Sequence, residues 1–233
     1  MRETVAISCL LVTIPCAVAA QGDSEPEPGF HWRPALRQAT MFLFIEQGGR
    51  LLQEGTREGL KGPFWGDYFR SVKNLGGWND GDTVMANFVG HPMQGAVSGY
   101  IQVQNDDFGR YQEFGLEPEY WRSRMRAMFF SAAYSLNFEL GPLSEASIGN
   151  VGKKPGTMGA IDLVFTPVGG LGWQITEDAM DRFFIRWVER KTDNLGILII
   201  TRSMLNPSRA FANILRFRVP WHRDTRPGIT FRR

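Results

Sequence analysis

His91 and Gln94 are the residues of this chain whose types and spacing come closest to a catalytic pair. They lie one helical turn apart, and a histidine that a carboxylate orients can act as a general base. Three acidic residues in other low-charge segments could supply that carboxylate, namely Glu139, Glu145 and Asp162. The combination predicts a site of acid–base chemistry formed by His91, Gln94, Asp162 and Glu139.

The same residues allow an interpretation without catalysis. Pro92 has no backbone N–H, so a helix that contains it loses a hydrogen bond, and the side chains of His91 and Gln94 could bond the backbone there. The chain carries no G-x-S-x-G elbow, no H-E-x-x-H helix and no P-loop, which are local signatures of hydrolases, metalloproteases and nucleotide-binding enzymes. We therefore favour the interpretation without catalysis.

We predict no metal site and no cofactor. The histidines available as ligands are His31, His91 and His222. The turn at residues 76–82 contains Asp80 and Asp82, but it lacks the glycine and the distant glutamate of an EF-hand calcium loop. Its last residue, Asp82, is instead well placed to cap a helix that begins at Thr83.

Residues 83–105 contain no Asp, Glu, Lys or Arg, although His91 stands near their centre. Apolar and polar residues alternate here with helical spacing, which predicts a buried helix. Three glycines, at positions 90, 95 and 99, would form a narrow seam along one side of it. With two more glycines further on, they make up the predicted packing set: Gly90, Gly95, Gly99, Gly169 and Gly170.

The remaining segments also follow helical patterns. We predict further helices at residues 34–60, 63–75, 117–139, 195–200 and 207–216, and one that Thr176 caps. Residues 166–172 are rich in glycine and contain Pro167, which predicts a bend between two short helices. The predicted fold class is all-α: a compact bundle of amphipathic and low-charge, glycine-rich helices, either soluble or partly embedded in a membrane.

The N-terminus predicts export. Arg2 precedes an apolar run that ends in Ala17, Val18, Ala19 and Ala20, which is the pattern of a secretory signal peptide. Both cysteines would leave with this peptide, so the mature chain would contain no thiol. We expect a signal peptide at residues 1–20, a flexible leader at 21–33, a helical domain at 34–216 and a basic tail at 217–233.

The C-terminal end is strongly basic, because residues 202–233 contain eight arginines and a single carboxylate, Asp224. Guanidinium groups bind phosphate through forked hydrogen bonds. In an exported protein the corresponding partners are lipid headgroups or lipopolysaccharide, and we do not expect nucleic acid. The predicted phosphate-binding residues are Arg209, Arg216, Arg218, Arg223 and Arg226. A solvated tail that balances acidic neighbours is the alternative.

The sequences HPMQG at residues 91–95 and TPVGG at 166–170, together with Ser147 and Asp162, resemble an uncharacterised family of exported bacterial envelope proteins. The resemblance covers residues 78–172. It implies a bacterial envelope setting and a helical domain, and it implies no reaction. The family's Gly-Glu pair does not follow the bend in this chain, where Leu171 and Gly172 stand instead.

Together these features predict a non-enzymatic helical protein of the bacterial envelope, in the periplasm or at the outer membrane and associated with membrane lipid. Other envelope proteins are further candidate partners, and the oligomeric state stays open. The alternative is an envelope hydrolase or transferase that acts on a lipid or glycan, with His91 as its base.

Overall fold

Helix α4 (His91–Gln104) runs through the middle of the bundle, and every one of its residues except Met93 is buried. The computed structural model describes residues 29–149 and 152–229. The expected signal peptide, and the leader up to residue 28, therefore lie outside the described residues. About 68% of the model is helical and its described part contains no β-strand, so the predicted all-α class is confirmed.

Ten α-helices follow one another along the described part of the chain. They are α1 (Trp32–Leu51), α2 (Glu54–Gly59), α3 (Phe64–Lys73), α4 (His91–Gln104), α5 (Pro118–Leu140), α6 (Ile161–Val164), α7 (Gly170–Met180), α8 (Arg186–Glu189), α9 (Leu195–Met204) and α10 (Pro207–Leu215). The prediction of one helix at 34–60 is wrong, because Gln53 has an extended backbone that separates α1 from α2.

The described residues also form four π-helical turns, three of which extend or join these helices. They are Ala86–Gly90, Glu145–Gly149, Phe165–Gly169 and Asp181–Ile185. The predicted bend at residues 166–172 is wrong, since α6, two π-turns, α7 and α8 follow one another directly from Ile161 to Glu189. Pro167 lies within a π-turn, where the wider turn accommodates a residue without an N–H. Thr176 consequently lies inside α7 and caps nothing.

The long helices form two pairs, and the two pairs run in opposite directions through the bundle. Helices α4 and α7 run parallel, as shown by contacts that advance together, Gly95 with Gly170 and then Gly99 with Gln174. Helices α1 and α5 run the other way. Two ends of the bundle result: a "His91 end", where α4 and α6 begin and α1 and α5 finish, and an opposite end around Asp178.

Helix α5 exposes large apolar side chains and buries several polar ones. On its outward side, Phe129 is 66% and Leu136 53% exposed. Its inward side buries Ser131, Ser135 and Glu139 together with Tyr134 and Phe138, which belong to the hydrophobic core. The usual amphipathic pattern is therefore inverted in part of this helix.

Two other stretches show the same inversion. In the stretch from α7 to α8, Phe183 and Trp187 are exposed while Asp178 and Asp181 are buried. In α9 the buried residue is Arg202, whereas Ile200 is 63% exposed. No helix of the described chain is long and apolar enough to cross a membrane.

Candidate functional site

The His91 end collects acidic side chains from four parts of the chain. The loop before α4 folds over this end, because the backbone N–H of Ile161 donates to the Trp78 carbonyl at 3.0 Å. Within the loop, Asp80 Oδ1 accepts from the backbone N–H of Asp82 at 2.9 Å and from the Asn87 amide at 3.1 Å. Asp80 is thereby held against the start of α4.

His91 is fixed by contacts to both ring nitrogens. Its Nε2 lies 3.4 Å from Oδ1 of Asp162, at the start of α6. Its Nδ1 lies 3.1 Å from Oε1 of Gln94 and 3.2 Å from Oγ1 of Thr166. Burial lowers the pKa of His91, so the neutral ring is favoured.

A chain of hydrogen bonds continues from His91 toward α1 and α5. The Gln94 amide N–H donates to Oε2 of Glu46 at 3.3 Å, and the Tyr134 hydroxyl donates to the same oxygen at 2.5 Å. The Gln94 nitrogen is thus directed at Glu46 and its oxygen at His91. Burial raises the pKa of Glu46 to about 7.

Two further carboxyl groups complete the cluster. Burial, and then a hydrogen bond with Asp80, raise the pKa of Asp162 to about 9. Burial raises the pKa of Glu139 to about 8, although the positive charge of Arg50 opposes this shift. Arg50 itself forms an ion pair with Glu145. Carboxyl groups therefore outnumber the basic groups that the described residues bring to this end, and burial favours the protonated form of three of them.

The structure brings together residues that the sequence singled out. Gln94 and Asp162 contact His91, Glu139 interacts electrostatically with Asp162, and Glu145 is held by Arg50. Sequence reasoning missed Glu46, Arg50 and Thr166 as site residues. It considered Asp80 and Asp82 only as calcium ligands, which it rejected, and assigned Asp82 a capping role. That role is not observed, since the side chain that accepts from the Ala86 N–H belongs to Thr83.

The glycine seam lies directly beside this site. A Cβ atom at Gly95 would overlap the Thr166 carbonyl, one at Gly99 would lie 2.7 Å from the Gln174 amide, and one at Gly169 would lie 2.8 Å from the Pro92 ring. Gly90 differs from these, because it is exposed and meets only its own helix within 4 Å. The seam sets the distance between α4 and the α6–α7 helix, and hence between His91 and Asp162.

The opposite end holds a second polar cluster whose charges are paired. Asp178 accepts from Tyr100, Tyr120, Arg124 and Arg209. Such a fully bonded network is typical of structural ion pairs.

The predicted phosphate-binding arginines lie mostly in this paired region. Arg209 pairs with Asp178, Arg216 with Asp224, and both Arg223 and Arg226 with Asp181. The guanidinium groups of these four pair with carboxylates of the same chain, as the alternative interpretation described, and phosphate binding by them stays a prediction. The side chain of Arg218 is exposed.

Comparisons with protein-family models, with curated proteins and with solved structures find no match to this chain.

Proposed function

We propose that this chain is a membrane-associated protein of a bacterial envelope, whose outward apolar helix faces lie in lipid. The observation that carries the proposal is the inverted amphipathicity of α5. In water, a helix stabilises a bundle by burying its apolar stripe. Here Phe129 and Leu136 lie outward, whereas Ser131, Ser135 and Glu139 lie inward beside Tyr134 and Phe138. This partial inversion fits a helix whose surroundings are apolar.

The outward faces support lipid as the occupant. From Ala127 to Asn137, the exposed side of α5 carries no charged residue. The same holds for α9 from Leu195 to Thr201, whose exposed positions include Ile197 and Ile200. Contiguous apolar surface of this kind marks membrane or protein contact. No described helix is both long and apolar enough to cross a membrane, and the immersion that we propose is from one side.

Fractionation tests this proposal. Envelopes from cells that express the full chain are washed with high salt or with carbonate and then floated on a density gradient, which separates membranes from aggregates. We expect the protein to float with the membranes after both washes. Recovery in the soluble fraction would overturn the proposal, and release by salt alone would replace immersion with an electrostatic contact.

A matched pair of variants locates the contact. We expect the double variant Phe129→Gln and Leu136→Gln to be released more readily by carbonate, since it weakens the outward face of α5. Leu52→Gln is the control: Leu52 is 78% exposed but lies next to α2, among the exposed charges of Glu54 and Arg57. Equal release of the two variants would contradict immersion through α5.

One observation favours a second candidate, the envelope hydrolase or transferase. His91 Nε2 and Asp162 lie in contact, and the opposite ring nitrogen is fixed by Gln94 and Thr166, which is the arrangement of an oriented base. The test is hydrolysis of phospholipid or envelope glycan by the purified chain. Loss of activity in His91→Ala with an unchanged melting temperature would support this candidate, and equal activity would remove it.

A further inference from the structure

Three side chains at the His91 end bring donor atoms to a common point. One donor atom each from Asp82, His91 and Asp162 lies within 4.8 Å of the other two. The separation of His91 Nε2 and Asp162 Oδ1 is 3.4 Å. Two ligands of a tetrahedral zinc ion with bonds of about 2.1 Å are roughly 3.4 Å apart. The imidazole and the carboxylate thus already have the spacing of two ligands of one metal ion.

The hydrogen bonds around His91 leave Nε2 without a proton. Gln94 directs its amide nitrogen at Glu46, so its oxygen faces His91 Nδ1 and can only accept. Nδ1 therefore carries the hydrogen, and the lone pair of Nε2 points toward the carboxylates. Metal-binding histidines are typically fixed in this manner by a hydrogen bond from the other nitrogen.

The second observation is a set of buried oxygens that accept no hydrogen bond from the described residues. They are Asp80 Oδ2, Asn87 Oδ1, Glu139 Oε1 and Asp162 Oδ1. Each of these side chains is more than nine-tenths buried. For Asp162 Oδ1, the neighbouring His91 Nε2 offers another lone pair rather than a donor. Two acceptors that face each other at 3.4 Å, as His91 Nε2 and Asp162 Oδ1 do, call for a cation or a proton between them.

We propose that Asp82, His91 and Asp162, with Asp80 beside them, form a binding site for a divalent metal ion of the zinc or manganese class. One imidazole with carboxylate oxygens suits these ions better than copper(I), which prefers sulfur ligands. Asp82 is exposed, so the site opens to solvent on its side and leaves coordination positions for water. This inference differs from the expectation of no metal site, and it does not depend on lipid immersion.

A proton shared between Asp80 and Asp162 is the competing explanation of the same oxygens. The two explanations differ in one respect that can be measured, because a shared proton requires no metal. Metal binding by the protein, and its dependence on Asp82, therefore separates them.

The test is equilibrium dialysis of the purified full chain, first treated with a chelator, against micromolar zinc or manganese, followed by measurement of metal content. We expect about one ion per chain and a melting temperature that rises with metal concentration. We expect Asp82→Asn and Asp162→Asn each to weaken binding at least about tenfold. Asp82 is exposed, so its variant keeps the test decisive if Asp162→Asn fails to fold.

The matched control is His31→Ala. His31 also contacts an aspartate, since its Nε2 lies 2.9 Å from Asp107 Oδ2, but this pair is far from the site, next to the end of α4. We expect the control variant to bind zinc like the unmodified chain. Absence of metal binding in the unmodified chain, or binding that survives in Asp82→Asn, would overturn the inference.

Discussion

Gly95 and Gly170 lie backbone against backbone at the crossing of α4 and α7. A methyl group at Gly170 would stand 2.6 Å from the carbonyl carbon of Gly95 and 2.9 Å from the N atom of Ala96. A contact of that length is sterically excluded between carbon atoms, so any side chain at position 170 must separate the two helices. These helices carry His91 and the Asp162 segment, so their spacing controls the site.

We therefore expect Gly170→Ala to lower the free energy of unfolding by about 1–3 kcal/mol or more, the usual cost of overpacking. Thermal unfolding followed by circular dichroism measures this change. Gly172→Ala is the control, because it lies on the same helix and its Cβ would meet nothing within 4 Å. There the better helix propensity of alanine should add up to about 1 kcal/mol of stability. Equal effects of the two variants would contradict the tight crossing.

We expect truncation of the Asp178 side chain to lower the free energy of unfolding by a large amount. Asp178→Ala would leave the buried guanidinium group of Arg124 without its carboxylate. We expect a cost of about 3–5 kcal/mol, typical of a broken buried ion pair. Glu58→Ala removes the exposed pair with Lys61, and its expected cost is below about 1 kcal/mol. Denaturant titration of both variants measures these changes. A small decrease in the free energy of unfolding of Asp178→Ala would refute the structural role of this cluster.

From the raised pKa of Glu46 we expect the free energy of unfolding to fall as the pH rises. Its pKa is about 7 in the folded chain, against 4.5 as the ordinary value. The folded state therefore binds the proton more tightly, and the free energy of unfolding decreases between about pH 4.5 and pH 7. A shift of this size corresponds to about 3 kcal/mol.

Glu46→Gln should remove this part of the pH dependence, because glutamine does not ionise. We compare the free energy of unfolding of this variant with that of the unmodified chain. The difference, variant minus unmodified chain, should be larger at pH 8 than at pH 5. The measurement is made with a chelator present, so that bound metal does not contribute. Glu54→Gln, an exposed position, is the control and should leave the slope unchanged. A slope that Glu46→Gln does not alter would show that other groups cause it.

Several features of the fold could be predicted from the sequence because they are local. The helical spacing around His91 predicted α4, and the glycines at positions 95, 99 and 170 predicted a close helix contact. The bend at Pro167 was mispredicted for a local reason as well. A π-turn accommodates proline and glycine within a continuous helix, and sequence spacing does not distinguish this from a break.

The candidate site could be predicted only in part. His91, Gln94 and Asp162 stood out because they are polar residues within low-charge segments. Asp80 and Glu46 did not, since each lies among residues that explain it locally, as a turn former or as part of an amphipathic helix. Their role depends on burial beside His91, which is a property of the packed chain.

The sequence by itself determined that this protein is helical and which side chains share a face of each helix, because both follow from the periodicity of neighbouring residues. Only the tertiary structure decided which face lies inward, since an apolar stripe can turn toward a core or toward lipid. It also decided that Asp82, His91 and Asp162 meet. Asp162 is distant from the other two in the chain, and only the packing of α4 against the α6–α7 helix brings it to them.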